Sequence, residues 1–320
     1  MSDRSNPWRI AFFGSGAFAL PTFRRLLAGP DQVVLAVTSP PARSGRGQAL
    51  KPTPLALAAR EAGVPTLETT DIHDADHIEA VELVRPDLLA VAAYRGFLGE
   101  RLLSLGCTPP LNVHPSLLPR HRGPAPVNWT LIAGDKEFGV SICFTELKID
   151  SGAVLAQRAR PTPEGLGAGA LEAILAEDGA ELLLQVVADI KRDLHCPTPQ
   201  DESLANMNRL MRKADGRLDF ARPAVELARL VNGVDPWPGA QALAGDKPVK
   251  FFGAWSGPGG EGAEPGAALG LDDEGRLKIA AGQGLLLIRE IQPPGRSRLS
   301  AADFLRGYDV GRFASLRSED

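Results

Sequence analysis

The sequence predicts an α/β chain, with a doubly wound, mostly parallel sheet followed by a small C-terminal β-barrel. Three observations carry this. RIAFFG (9–14), QVVLAVTS (32–39) and DLLAVAAY (87–94) are short, nearly continuous apolar runs ending in turn signals, the pattern of parallel strands buried on both faces. Helix-like stretches alternate with them: ALPTFRRLLAG, LALAAREAG and DADHIEAVELV. Beyond residue 208 the rhythm changes to short strand-like runs broken by Gly, Asp and Pro, as in a small antiparallel barrel or sandwich.

Taken in order, the first two helices close on a glycine, a frequent helix terminus. Strand alternating with helix implies right-handed crossovers and an open sheet. The run PLNVHP (110–115) adds a further strand, and open α/β sheets bind ligands beyond the carboxyl ends of their strands. EFGVSICFTELKIDSGAVLAQ (137–157) reads as two strands around a loop. GAGALEAILAEDGAELLLQVVADIKR (167–192) has the apolar spacing of a long amphipathic helix. This divides the chain into a catalytic domain at 1–193, a polar, proline-bearing linker at 194–208 and a barrel domain at 209–320. The barrel strands are GAQALAG, KPVKFFGAWS, GRLKIAAG and GLLLIREIQ, with SGPGGEGAEPG as a surface loop.

A length of 320 residues agrees with two domains. Hydrophobic and charged fractions of 44% and 23% are those of a soluble globular protein, and a net charge of −4 does not advertise a nucleic-acid binder, although a sum hides local patches. The apolar run near the N-terminus is too short for a signal peptide and no stretch is long enough to span a membrane, so a cytoplasmic protein is expected. The three cysteines form no CxxC pair and are expected as buried thiols.

FFGSGAFA fits G-x-G-x-x-A after the first strand. The second strand ends in Thr38, Ser39, Pro40 and Pro41, without the acidic residue that NAD binding wants, so a tight strand-to-helix turn accounts for it; Arg43 leaves an NADP reading open. HDADH (73–77) invites a metal reading, but Asp74 and Asp76 at a helix start are ordinary capping chemistry, and no metal is expected.

LNVHPSLLPRHRG (111–123) is more informative. Asn112 and His114 lie two residues apart at a strand end and so share a face. Together they offer a donor to polarise a carbonyl and a proton carrier beside it. An imidazole in that role wants a carboxylate, for which Asp150 in KIDSGAVL is the candidate. With no metal motif or nucleophile elbow, the trio suits acyl transfer in which the substrate's amine attacks directly. Asn and His at a strand end also cap turns, and Asp before Ser-Gly is a common turn former. Spacing alone leaves both readings open.

NVHPSLLPRHRGPAP, continued by LIAGDKEFGVSICFTELKIDSGAVL, resembles the signature region of the 10-formyltetrahydrofolate-dependent formyltransferases. SGRGQALKPTP, VDPWPGAQ and IQPPGRSRLSAADFLRG extend the resemblance over nearly the whole chain. The C-terminal matches point to the branch that acts on methionyl-tRNA. The resemblance implies a Rossmann-like first domain and an OB-like barrel. It also implies catalytic roles for Asn112, His114 and Asp150, and a folate-bordering loop at Ser116, Leu117, Leu118 and Pro119. Arg46, in the inserted loop, would grip the acceptor end of tRNA, and Lys247, Lys250, Arg296 and Arg298 of the barrel would meet phosphates. It further implies 10-formyltetrahydrofolate as donor, initiator methionyl-tRNA as acceptor and tetrahydrofolate as product; no metal and a monomer are expected beside it.

Three positions depart from the family pattern: the Gly14-Ser15-Gly16 turn, Arg95 after Tyr94, and Leu55-Ala56 after Thr-Pro. The competing reading is a formyltransferase acting on an amino sugar or another small amine. A binding module that has lost turnover and a dehydrogenase rank below it.

Overall fold

The computed structural model describes residues 6–44, 49–308 and 310–316. The chain forms two compact units: Met1–Gly123, Gly139–Arg160 and Glu172–Met207 make the first, and Pro124–Phe138, Pro161–Leu171 and Asn208–Asp320 the second.

The first unit opens with β1 (Arg9–Gly14), α1 (Ala19–Ala28) and β2 (Gln32–Thr38). A hairpin of β3 (Ala42–Ser44) and β4 (Ala49–Lys51) leads to α2 (Pro54–Glu61) and β5 (Thr66–Glu68). Then come α3 (Ala75–Leu83), β6 (Leu88–Ala92), α4 (Glu100–Leu103) and β7 (Leu111–His114). After α5 (Pro126–Ala133) the chain adds β8 (Glu137–Phe144), β9 (Val154–Pro161) and the long α6 (Ala168–Lys191). Of these, β3, β4, β5, α4 and α5 were not legible in the sequence.

The strand order is β5-β2-β1-β6-β7-β8-β9. Pairs from β5 through β7 are parallel, and β8 runs antiparallel to β7 with Asn112 opposite Cys143 and His114 opposite Ser141. The order therefore reverses at β1, and the carboxyl ends of β1, β6 and β7 line one edge of the sheet, where such folds bind ligands. Ile10, Phe12, Phe13, Leu88 and Leu89 are fully buried, each large side chain contributing roughly 1.5–3 kcal/mol by leaving water.

Local signals set the helix ends. Thr53 caps α2 by accepting from the Ala56 N–H at 3.1 Å, with Pro54 in the first turn where its missing donor costs nothing. Asp74 caps α3 by accepting from the Asp76 N–H. Gly14 packs against α1 and β6, because a Cβ there would lie 2.8 Å from both Ala19 Cβ and the Ala92 carbonyl, whereas a Cβ on Gly16 would meet nothing within 4 Å; the tight turn read in FFGSGAFA requires only the first of its two glycines. On α6, the almost fully buried Asp178 is gripped by Arg160 (2.6 Å) and Arg158 (3.1 Å) from β9. Arg160 first, and Arg158 with it, holds that carboxyl below its usual range.

The second unit holds α5, a 3₁₀ turn at Lys213–Gly216, α7 (Ala224–Gly233), β10 (Ala240–Ala244) and β11 (Lys247–Gly257). Next are β12 (Ala268–Leu271), β13 (Leu277–Ala280), β14 (Leu285–Gln292), β15 (Leu299–Ser300), α8 (Ala301–Gly307) and β16 (Phe313–Ala314). The strands pair antiparallel in the order β12-β13-β14-β11-β10-β16. An Ala267–Arg312 bridge joins the two edges, flanked by bonds from Phe313 N to Gly266 O (2.7 Å) and Ala268 N to Gly311 O (2.9 Å). The sheet thus closes into the predicted barrel, which leaves few unpaired edge groups.

Helix α7 buries Ala224, Leu227, Ala228 and Val231, a regular i, i+3, i+4, i+7 stripe. The buried Asn232 at its end donates to the Ala254 carbonyl (2.8 Å) and accepts from the Ala254 N–H (2.9 Å), tying helix to barrel. Phe251, Phe304 and Phe313 fill the interior. Among the described residues, no helix is long and apolar enough to cross a membrane.

Candidate active site

Strand β7 delivers Asn112 and His114 to the carboxyl edge of the first unit, and the loop between β8 and β9 returns Asp150 to meet them. The loop closes tightly, since Phe144 N donates to Ala153 O at 3.0 Å. A Cβ on Gly152 would lie 2.0 Å from the Phe144 carbonyl, which is why the Asp-Ser-Gly turn needs its glycine. Asp150 has φ +50°, a left-handed conformation that Asp tolerates better than most residues.

Three groups among the described residues approach the Asp150 carboxylate. Asn112 Nδ2 donates to Oδ1 at 3.1 Å, and the Gly123 N–H donates to Oδ2 at 2.8 Å. His114 Nδ1 lies 3.5 Å from Oδ2, longer than an ordinary hydrogen bond. On the other side of the ring, His114 Nε2 lies 3.0 Å from the His121 carbonyl. A carbonyl only accepts, so this contact assigns an N–H to Nε2 and leaves Nδ1 facing Asp150. One N–H of the Asn112 amide is given to Asp150, and the other has no acceptor among the described residues. Two polar side chains of β7 and one from a distant loop therefore converge, and the His114 side chain is only 6% exposed.

The loop after β7 is held rigidly. Ser116 Oγ donates to Arg120 O at 2.7 Å. Ser141 on β8 donates to Ser116 O (2.6 Å) and accepts from the Leu118 N–H (3.1 Å) and from Gln157 Nε2 (2.8 Å). Gln157 also donates to Leu118 O. Leu118 is buried, Pro119 half-buried, and Leu117 packs over Gly139. Ser141 and Gln157 were missed by sequence reasoning. A lone serine inside the apolar run GVSICF was the available signal; Gln157 left none.

Of the cysteines, only Cys143 is buried; Cys107 is half-buried and Cys196 exposed, which corrects the expectation of three buried thiols. Cys143 lies under the Asn112 carbonyl, and burial first, then the Asp150 charge, pushes its thiol well above the usual range. It stays protonated and offers no nucleophile. Among the described residues, no group of three or more His, Cys, Asp or Glu is arranged to hold a metal ion. His77 of HDADH instead contacts Thr69 Oγ1 (3.1 Å) and the Asp71 carbonyl (2.8 Å). The arrangement offers polarisation of a carbonyl and proton handling beside it.

Arg46 lies outside the described residues. Arg95 is exposed, and Leu55 and Ala56 are fully buried in the first turn of α2, so apolar residues there serve packing. In the second unit, Lys250 donates to Pro238 O at 2.8 Å, and Arg298 pairs with Asp235 (2.6 Å) while lying 3.5 Å over the Phe252 ring. Lys247 and Arg296 are exposed.

Comparison with known proteins gives this geometry its family. Residues 8–187 match the formyl transferase family model, and residues 210–309 match the model of the formyl transferase C-terminal domain. A methionyl-tRNA formyltransferase of Desulfotalea psychrophila is 38% identical over 311 residues, covering 97% of this chain and 96% of its own. That of Citrifermentans bemidjiense is 37% identical over 315 residues, covering 98% and 97%. Among solved structures, HypX from Aquifex aeolicus in complex with tetrahydrofolic acid superposes with a TM-score of 0.61 at 22% identity, over 97% of this chain and 51% of its own. An N-formyltransferase from Helicobacter canadensis in complex with folinic acid and dTDP-3-aminofucose gives 0.66 at 15%, over 89% and 98%. These two share the fold. With both family models matched in order and relatives above 30% identity along nearly the full length, the chain belongs to the formyl transferase family, among the methionyl-tRNA formyltransferases.

Proposed function

We propose that the chain transfers a formyl group from 10-formyltetrahydrofolate to the amino group of methionine on initiator methionyl-tRNA, in the cytoplasm. The observation that carries the chemistry is the convergence of Asn112, His114 and Asp150 at the carboxyl edge of the sheet. The full-length match to methionyl-tRNA formyltransferases supports the choice of acceptor.

The donor set fits a folate-type donor, because a formyl oxygen needs an N–H and Asn112 has one uncommitted to Asp150. The donor supplies an acyl carbon on a nitrogen able to leave. Asn112 stabilises the negative charge that gathers on the formyl oxygen. His114 moves the proton at Nδ1, as the attacking amine loses one and the departing nitrogen gains one. Asp150 stands 3.5 Å from that nitrogen and orients the ring. The loop Ser116–Pro119 borders the donor, held in shape by Ser141 and Gln157. Arg46 and the exposed cations of the barrel meet the tRNA backbone, an attraction that salt weakens.

Incubating the chain with labelled 10-formyltetrahydrofolate and either charged initiator tRNA or a panel of small amines, amino sugars included, tests this. Label is expected on methionyl-tRNA. Label on small amines alone rejects the acceptor, and label on no amine rejects the activity.

A further inference from the structure

The turn that presents Asp150 is gripped from outside by a segment that the catalytic motifs do not include. Gln200 Nε2 donates to the carbonyls of Asp150 (2.9 Å) and Gly152 (2.7 Å), the two residues flanking Ser151. Its Oε1 accepts from Arg122 Nε (3.0 Å) and Nη2 (2.8 Å). Arg122 fixes the orientation of this amide, because a guanidinium only donates and must therefore face the oxygen. The Arg122 side chain is 3% exposed and completes its pairing on Glu202 at 2.7 Å, which Lys148 also holds. A buried guanidinium needs such partners.

The same segment reaches the other side of the imidazole. Asn206 Oδ1 accepts from the His121 N–H at 2.7 Å, and the His121 carbonyl is the acceptor for His114 Nε2. His121 has φ +59°, as Asp150 has +50°. Both residues that flank the imidazole are thus left-handed and are held from residues 200–206.

We propose that Gln200 is a positioning residue for formyl transfer, its side-chain amide holding the Asp150 turn so that the carboxylate stays within reach of Asn112 and His114. The proposal rests on the reading of this site as the formyl-transfer centre. It requires the amide N–H group in particular, since that is what binds the two carbonyls.

The test compares the full-length parent with Gln200→Ala and Gln200→Glu. The glutamate keeps the length and an oxygen for Arg122 but loses the donors to the carbonyls. Both variants should lower kcat by roughly ten- to a hundredfold, the scale of a small misplacement of a reacting group, with KM for donor and tRNA changed less than twofold. In protein with ¹⁵N-labelled histidine, the His114 ring signals, assigned by their loss in His114→Ala, should move in the direction that Asp150→Asn moves them. Parental kcat and ring signals in Gln200→Glu overturn the proposal. So does a loss of activity that merely tracks the folded fraction while the ring signals stay in place. If the parent formylates no amine, the reading of the site fails, and the ring signals still decide whether Gln200 holds Asp150.

Discussion

Around His114, side chains are specified one at a time. Asn112, Ser141, Gln157 and Gln200 each make a side-chain bond that most other residue types would not make. In the barrel, the interior is instead a pattern: Phe251, Phe304, Phe313, Leu227, Val231, Ile279 and Ile288 are buried together, with charges kept outside. Hydrophobic burial is non-directional, so any set of suitable size and period serves the barrel. Hydrogen-bonded polar groups at a buried edge are directional, and losing one partner leaves another unsatisfied. A change in the site should therefore cost turnover before fold, and a change in the barrel interior should cost fold before the chemistry at His114.

The largest expected effect is on turnover. His114→Ala and Asp150→Ala should each lower kcat by roughly a thousandfold, within the range for loss of a positioned acid or base. Denaturant midpoints should move little, and tRNA binding should stay near parental. Steady-state kinetics beside urea melts read both. A variant with the parental rate removes that residue from the mechanism and breaks the contrast between the two regions.

The same contrast explains what was legible in the sequence. Strands β1, β2, β6 and β7 announce themselves as apolar runs, and the strands of the second unit as short runs broken by turn signals, which leave barrel and sandwich open until the Ala267–Arg312 bridge decides for the barrel. Asn112 and His114 are legible because strand alternation puts them on one face. Asp150 is legible as a turn residue, but its distance from His114 depends on β8 and β9 pairing beside β7, which spacing does not encode. Gln200 left no local signal, because PTPQDE has the composition of any linker. Its role arises from the 50-residue separation across which it meets Asp150. Helices α7 and α8 were missed for a different reason. AVELARLVNG has a helical stripe of its own, yet it sits among short strand-like runs that set the expectation for the whole region.

The second test breaks the comparison from the barrel side. Phe304 is fully buried on α8, stacked on Tyr308 with centroids 4.5 Å apart and packed near Phe313. Phe304→Ala should destabilise the second unit by about 3–5 kcal/mol, the usual cost of emptying a buried aromatic site. Calorimetry should show an earlier transition for that unit, with the His114 ring signals at 25 °C unchanged. Displaced ring signals would mean that the two regions are not held independently.

The smallest effect is in acid and concerns the strap that holds the Asp150 turn. Hydrogen bonds from Arg122 first and Lys148 second hold the Glu202 carboxyl down at about 2. Its ordinary value is 4.5, and a carboxylate lowered on folding gives stability that is fully present above the unfolded value. Between pH 4.5 and about 2 the unfolded chain takes up this proton before the folded one does, so the contribution fades as pH falls through that window. Glu202 is exposed and its pairs are screened by solvent, so the effect should be modest. Glu202→Gln should therefore show slightly lower urea midpoints than the parent at pH 7, and the two curves should approach each other as the pH is lowered toward 2. Curves that stay parallel down to pH 2 would mean that Glu202 gains nothing from Arg122. Among the described residues the buried guanidinium would then depend on Gln200, and the difference between site and barrel would rest on a narrower set of bonds.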